Sequence, residues 1–192
     1  MALELFARNG FDATTMDHIA RAVGIARRTL FSYYQSKSAI VWDGQREAGN
    51  ALAAALAGVA HDVPWRSALV DTLTTALRYP GDDVDLLRRR LSLIAATPVL
   101  RAHLVIGQEP VVDVVARFVA VREGCAEDDL TPYVITRATL TALSSALMWW
   151  STSVEPDPRV VVRRALTTVL GDSIPVPGTT SGGDREACTR SR

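Results

Sequence analysis

The 192-residue chain is predicted to be all-α, and three observations carry that reading. Apolar residues recur at three- and four-residue spacing through almost every segment. Prolines fall where helices begin, as at Pro64, Pro132 and Pro158. No segment alternates strictly between apolar and polar, and the valine-rich runs have helical lengths and proline starts. Hydrophobic residues make up 48 %, ample for a packed core. The pattern divides into a three-helix head over residues 1–46, a larger helical body over 47–171 and a tail over 172–192. The tail is rich in Pro, Gly, Ser and Thr, lacks apolar periodicity and is expected to be disordered.

In order, the first helix puts Leu3, Phe6 and Ala7 on one face and stops at Asn9-Gly10. Thr14 or Thr15 caps the second, whose apolar face is Met16, Ile19, Ala20 and Val23. Gly24 ends it. The third starts near Ala26 and runs through RRTLFSYY, with Leu30 and Tyr34 inward and Phe31 at the edge. Ser36 caps a long helix expected over 37–60. Further helices are expected from Pro64 to before Pro80-Gly81, from Asp82 and Asp83 to Ala96, and from Thr97-Pro98 through VLRAHLVI. Three more complete the body. One opens near Gly107 with the stripe Val111, Val112, Val115, Phe118 and Val119; one spans 132–152; the last spans 158–170.

The outward arc of the third helix consists of Arg28, Thr29, Ser32 and Tyr33. From Val23 to Trp42 there are three cations (Arg27, Arg28, Lys37) and no acid. Arginine bonds a guanine edge bidentately, and hydroxyls bond phosphate oxygens. A helix, a glycine turn and a helix with such a face suit a recognition helix in a major groove. By helical phase Arg28 faces outward more squarely than Arg27. The order T-T, I-A, G-I, T-L-F, Y-Y, S-K, A-I over about 45 residues resembles the TetR family of DNA-binding regulators.

That resemblance implies a DNA-binding head with a helix-turn-helix and a body that binds ligand and dimerises. It places Thr15 and Lys37 at phosphate contacts, and Arg27, Arg28 and Thr29 at positions that read bases. Ser32 and Tyr33 match positions touching bases or backbone. Two residues depart from the pattern: Phe31 stands where a tyrosine is usual, and Ala26 replaces a capping serine, at about 1 kcal/mol. Relatives carry some ten or more residues, often basic, ahead of the first helix. Either the chain starts upstream of Met1 or it lacks the arm that reaches the minor groove.

Net charge is zero, so DNA affinity must come from a local patch. The head holds six cations against four acids, a net of +2 that neutralises few phosphates per copy and calls for two copies. Cys125 and Cys188 have no metal-like spacing and suggest no disulfide framework. With no signal peptide and no long apolar run, the protein is expected to be cytoplasmic, with no membrane partner. No cofactor is expected. His18, His61 and His103 are isolated, and no nucleophile–base, metal or phosphate-loop motif appears, so the chain is not read as an enzyme.

In the body, the helix over 132–152 is apolar or small nearly all round and must be covered on more than one side. With the last helix it suggests a subunit interface across a two-fold axis, formed by Leu143, Leu147, Trp150, Val162, Leu166 and Val169. Completion of the monomer core is the alternative. Trp65, Ile94, Phe118 and Trp149 are candidate ligand contacts, and core packing explains the aromatics equally. Within Arg88-Arg89-Arg90, Arg89 points out, and Arg90 lies close enough to the core direction to bind an anion at a pocket mouth. Solvation, or pairing with an acid such as Asp83, is equally compatible. GIARRTLFSYYQSKSAIVW, RRRLSLIAATPVLRAHL and LMWW resemble the mycofactocin-system branch of the family, which implies an acyl-CoA-like or other amphipathic anionic effector.

The function expected is therefore a ligand-responsive transcriptional regulator: a homodimer on double-stranded operator DNA, released by a small molecule. A helical ligand-binding or adaptor protein that has lost DNA binding is the alternative, kept open by Ala26, Phe31 and the missing arm.

Overall fold

The computed structural model describes residues 1–77, 84–107 and 109–171, except for the side chains of 45, 46 and 103–110. The described residues form eleven helices and no strand. In the head are α1 (Ala2–Asn9), α2 (Met16–Val23), α3 (Arg27–Tyr33) and α4 (Lys37–Val41). The body holds α5 (Gln45–Ala57), α6 (Trp65–Thr75), α7 (Val84–Ala96), α8 (Pro98–Gly107), α9 (Glu109–Glu123), α10 (Leu130–Ser151) and α11 (Pro158–Leu170). The expected starts at Asp82 and Asp83, the stop at Pro80-Gly81 and the 172–192 tail lie outside the described residues.

Helix ends follow from local chemistry. Thr15 accepts from the His18 N–H at 3.1 Å, and His18 Nδ1 accepts from the Thr15 N–H at 3.3 Å, a reciprocal cap on α2. Gly24 closes α2 in the left-handed region at φ 74°, where a side chain is strained. Thr14 is fully buried and donates to the Gly10 carbonyl at 2.8 Å. Ala26 gives α3 no side-chain cap.

Two apolar clusters organise the packing. One lies within the body, where Leu69, Val115, Leu140, Val162 and Leu166 are fully or nearly fully buried among α5, α6, α9, α10 and α11. The other crosses the seam between head and body. Phe6, Ile19, Leu30 and Val41 of the head pack with Leu91, Ile94, Leu100 and Trp150 of α7, α8 and α10. Each large side chain so buried contributes about 1.5–3 kcal/mol. The head therefore shares its core with the body.

The expected continuous helix over 37–60 is broken. Trp42, Asp43 and Gly44 separate α4 from α5, and Gly44 sits at φ 86°, ψ −3°. The Tyr34 hydroxyl donates to Asp43 Oδ2 at 2.9 Å and holds that turn against the end of α3. Asp-Gly is a turn dipeptide. It was the available signal for this break.

Candidate nucleic-acid interface

The exposed arc of α3 carries Arg28, Thr29, Ser32 and Tyr33, with Tyr33 76 % exposed. Leu30 faces the opposite way, 4 % exposed in the seam cluster, and fixes the helix's rotation. Arg28 has no hydrogen-bond or ionic partner among the described residues, so its full fork of donors is available. Arg27 is already engaged: it donates to Asp17 Oδ2 at 3.1 Å, and its guanidinium lies 5.3 Å from the Phe31 ring centroid. Because both partners are exposed, that pair is worth at most about 1 kcal/mol and is easily exchanged for a phosphate or base. Ser32 Oγ donates to the Thr29 carbonyl at 2.7 Å, which leaves it acceptor capacity toward a ligand. Thr15 uses its oxygen as an acceptor in the cap, so its O–H remains free to donate outward.

Lys37 departs from its expected role. Its ammonium donates to the Phe11 carbonyl at 2.6 Å and the Asp12 carbonyl at 3.3 Å, and sits 4.6 Å from the Phe11 ring centroid. Half-buried, it ties α4 to the α1–α2 turn with two of its three donors. It is first a strut of the head, and only the remaining N–H can face a phosphate.

The profile of the MftR C-terminal domain matches residues 63–172, and that of bacterial regulatory proteins of the tetR family matches residues 1–41. The chain belongs to the TetR family of transcriptional regulators. Over 154 residues it is 36 % identical to the putative mycofactocin biosynthesis transcriptional regulator MftR of Mycobacterium tuberculosis, covering 78 % of this chain and 76 % of that one. Similar solved structures include the fatty acid degradation regulator FadR of Bacillus halodurans, with TM-score 0.61 and 13 % identity over 88 % of this chain and 94 % of that one. FadR of Thermus thermophilus, solved in complex with lauroyl-CoA, gives TM-score 0.56 and 20 % identity over 93 % and 96 %. At these identities the solved structures show a shared fold.

In this TetR-family chain the residues expected to bind ligand do not converge. Trp65 and Phe118 pack on the body cluster, and Ile94 is 1 % exposed in the seam cluster. Arg90 donates to the Asp43 carbonyl at 3.3 Å, at the seam between head and body. Trp149 is 62 % exposed and points away from the core. Arg89 is exposed, as its phase implies.

Arg88, which carried no specific expectation, is the most engaged of the three. It donates to the carbonyls of Trp150 (2.9 Å), Ser153 (2.6 Å) and Glu155 (2.6 Å) and stacks 4.0 Å from the Trp150 ring centroid. Nothing local in the sequence shows this, because its partners lie 62 to 67 residues away.

The expected subunit contacts need a similar correction. Trp150, Val162 and Leu166 are 0 % exposed within the single chain, so they are monomer core and offer no surface to a partner. Leu143 and Leu147 are half-buried, and Val169 is 44 % exposed. The outward large apolar side chains of α10 and α11 are Leu130, Tyr133, Val134, Trp149, Val160 and Val169. On so evenly apolar a helix as α10, phase is poorly defined by sequence. Trp149 and Trp150 lie about 100° apart, and it is Trp150 that is buried and Trp149 that faces outward.

One cleft of about 380 Å³ lies between α5 and α9, lined by Leu56, Phe118 and Val121, with His61, Arg117 and Arg122 around it. Arg122 is committed there: its guanidinium donates to the carbonyls of Val59 and Ala60 at 2.9 Å and of His61 at 3.0 Å. Arg117 pairs with Glu127 at 3.0 Å on an exposed surface. Among the described residues no group of His, Cys, Asp and Glu is arranged to hold a metal, and no helix is long and apolar enough to cross a membrane.

Proposed function

We propose that this regulator is a homodimeric repressor whose α3 helices read an operator and whose body releases it on binding an amphipathic anion. The observation that supports this best is the acid-free arc of α3, with unpartnered Arg28 beside exposed Thr29, Ser32 and Tyr33. Arg28 is the main base-reading residue. Arg27 joins it by leaving Asp17, Tyr33 and Thr15 contact the backbone, and Ser32 accepts from a base or its neighbour. The α5–α9 cleft is the effector site: Leu56, Phe118 and Val121 supply an apolar floor for an acyl chain. Arg117 can turn from Glu127 to the phosphates of a coenzyme A moiety at little cost, because an exposed ion pair is weak. A fatty-acyl-CoA is the first class to test, the FadR relative having been solved with one. Trp149 and Val169 are the exposed anchors of the α10–α11 subunit contact, with Leu143 and Leu147 behind them.

The test is retardation of DNA fragments flanking the gene, at two salt concentrations, with the wild type and Arg28→Ala. Retardation that Arg28→Ala leaves unchanged overturns the assignment of the face. Failure of acyl-CoAs of every chain length to release a mapped operator overturns the effector class and leaves DNA reading intact.

A further inference from the structure

At the seam, three side chains from three elements meet around the break between α4 and α5. Tyr34, the residue that ends α3, donates its hydroxyl to Asp43 Oδ2 at 2.9 Å. Arg90 of α7 donates to the Asp43 carbonyl at 3.3 Å, and its charge lies close to both Asp43 and Tyr34. Asp43 precedes Gly44, whose left-handed φ of 86° lets the chain turn between α4 and α5. The hydrogen bond to Asp43 and burial raise the Tyr34 hydroxyl above its ordinary pKa, and burial lowers Arg90 from the usual guanidinium value. Arg90 is thus partly desolvated at the seam, while the Tyr34–Asp43 bond stays exposed. Next to them, the indole N–H of Trp42 is buried with no acceptor among the described residues.

We propose that Tyr34, Asp43 and Arg90 form a bracket that sets the angle of the recognition helix against the body, making them positioning residues for operator reading. The proposal rests on α3 being the DNA-reading helix. In a dimer, a fixed head angle fixes the separation of the two α3 helices, so the bracket selects half-site spacing while touching no base. Arg90 is the informative member, because it belongs to α7 and lies outside the head.

The test uses the full chain and the variants Tyr34→Phe, which removes one hydroxyl, and Arg90→Met, which keeps the aliphatic stem. Hydrogen exchange on the DNA-free protein comes first. Both variants are expected to speed exchange of the α3 amides by about fivefold, with α1 and α11 unchanged. Arg90→Met leaving α3 exchange at the wild-type rate overturns the bracket, whatever DNA does. Binding to operators with one base pair inserted or deleted between half-sites comes second. Wild type discriminates against them, and both variants are expected to lose at least threefold of that discrimination. A uniform loss of affinity across all spacings would mark a merely structural role and overturn the proposal. If wild-type protein binds no operator, the DNA reading fails. The exchange result then still decides whether the three residues hold α3.

Discussion

Replacing Arg88 by alanine should destabilise the protein more than any other single change in the Arg88–Arg90 run. Arg88 makes three charge-assisted bonds to carbonyls at and beyond the C-terminal end of α10 and lies on the Trp150 ring. Bonds to a charged group contribute about 1.5–3 kcal/mol singly, but these are not additive. Two acceptors keep other partners in the variant: the Trp150 carbonyl still accepts from Ser153, and the Glu155 carbonyl from the Trp150 indole at 2.7 Å. Only the Ser153 carbonyl loses its partner. One fully lost bond, two weakened ones and a cation–π contact together suggest about 3 kcal/mol. Arg89→Ala, at an exposed site, should cost less than about 0.5 kcal/mol. Arg88→Lys should recover little, because an ammonium cannot reproduce the planar fork. Urea unfolding at one fixed protein concentration, which holds any contribution from self-association constant, measures all three. If Arg88→Ala proves as mild as Arg89→Ala, the guanidinium is not what holds the 150–155 corner to α7.

Lys37→Met should weaken the head itself, by about 1–3 kcal/mol in unfolding, since it strands two carbonyls and removes a cation–π contact. Its loss of operator affinity should disappear once folding is restored by lower temperature, which separates a strut from a phosphate contact. The neighbouring tryptophans should divide two properties. Trp149→Ala should raise the dimer dissociation constant, read by analytical ultracentrifugation, with little change in secondary structure. Trp150→Ala should cost about 3–5 kcal/mol of folding stability. Equal effects of the two on both measurements would contradict their opposite orientations.

Wherever one local rule decided the outcome, the fold was legible in the sequence. Thr15, Gly24 and Ser36 cap or stop their helices because hydroxyls and glycine do so irrespective of distant contacts. The outward arc of α3 followed from Leu30 and Tyr34 marking the inward side, and Leu30 is the residue that is buried there. Residues whose roles depend on distant chain were not legible. Arg88 and Arg90 both sit beside inward-facing leucines, and only the arrival of the α10 corner and of Asp43 separates their partners. Asp43-Gly44 was readable as a turn, yet the helix-compatible run on either side obscured it. Of the expected effector residues, Phe118 lines the α5–α9 cleft while Ile94 is core and Trp149 is exposed, because aromatic and aliphatic side chains look alike whether they fill a core or line a cleft.

The apolar cluster that joins Phe6 and Leu30 to Ile94 and Trp150 bears on how such regulators can be recombined. A transplanted head would arrive with one flank shaped to foreign side chains, so chimeras should require α7 and the end of α10 to travel with it. Exchanging operator specificity between relatives is then better attempted by rewriting the outward arc of α3 in place.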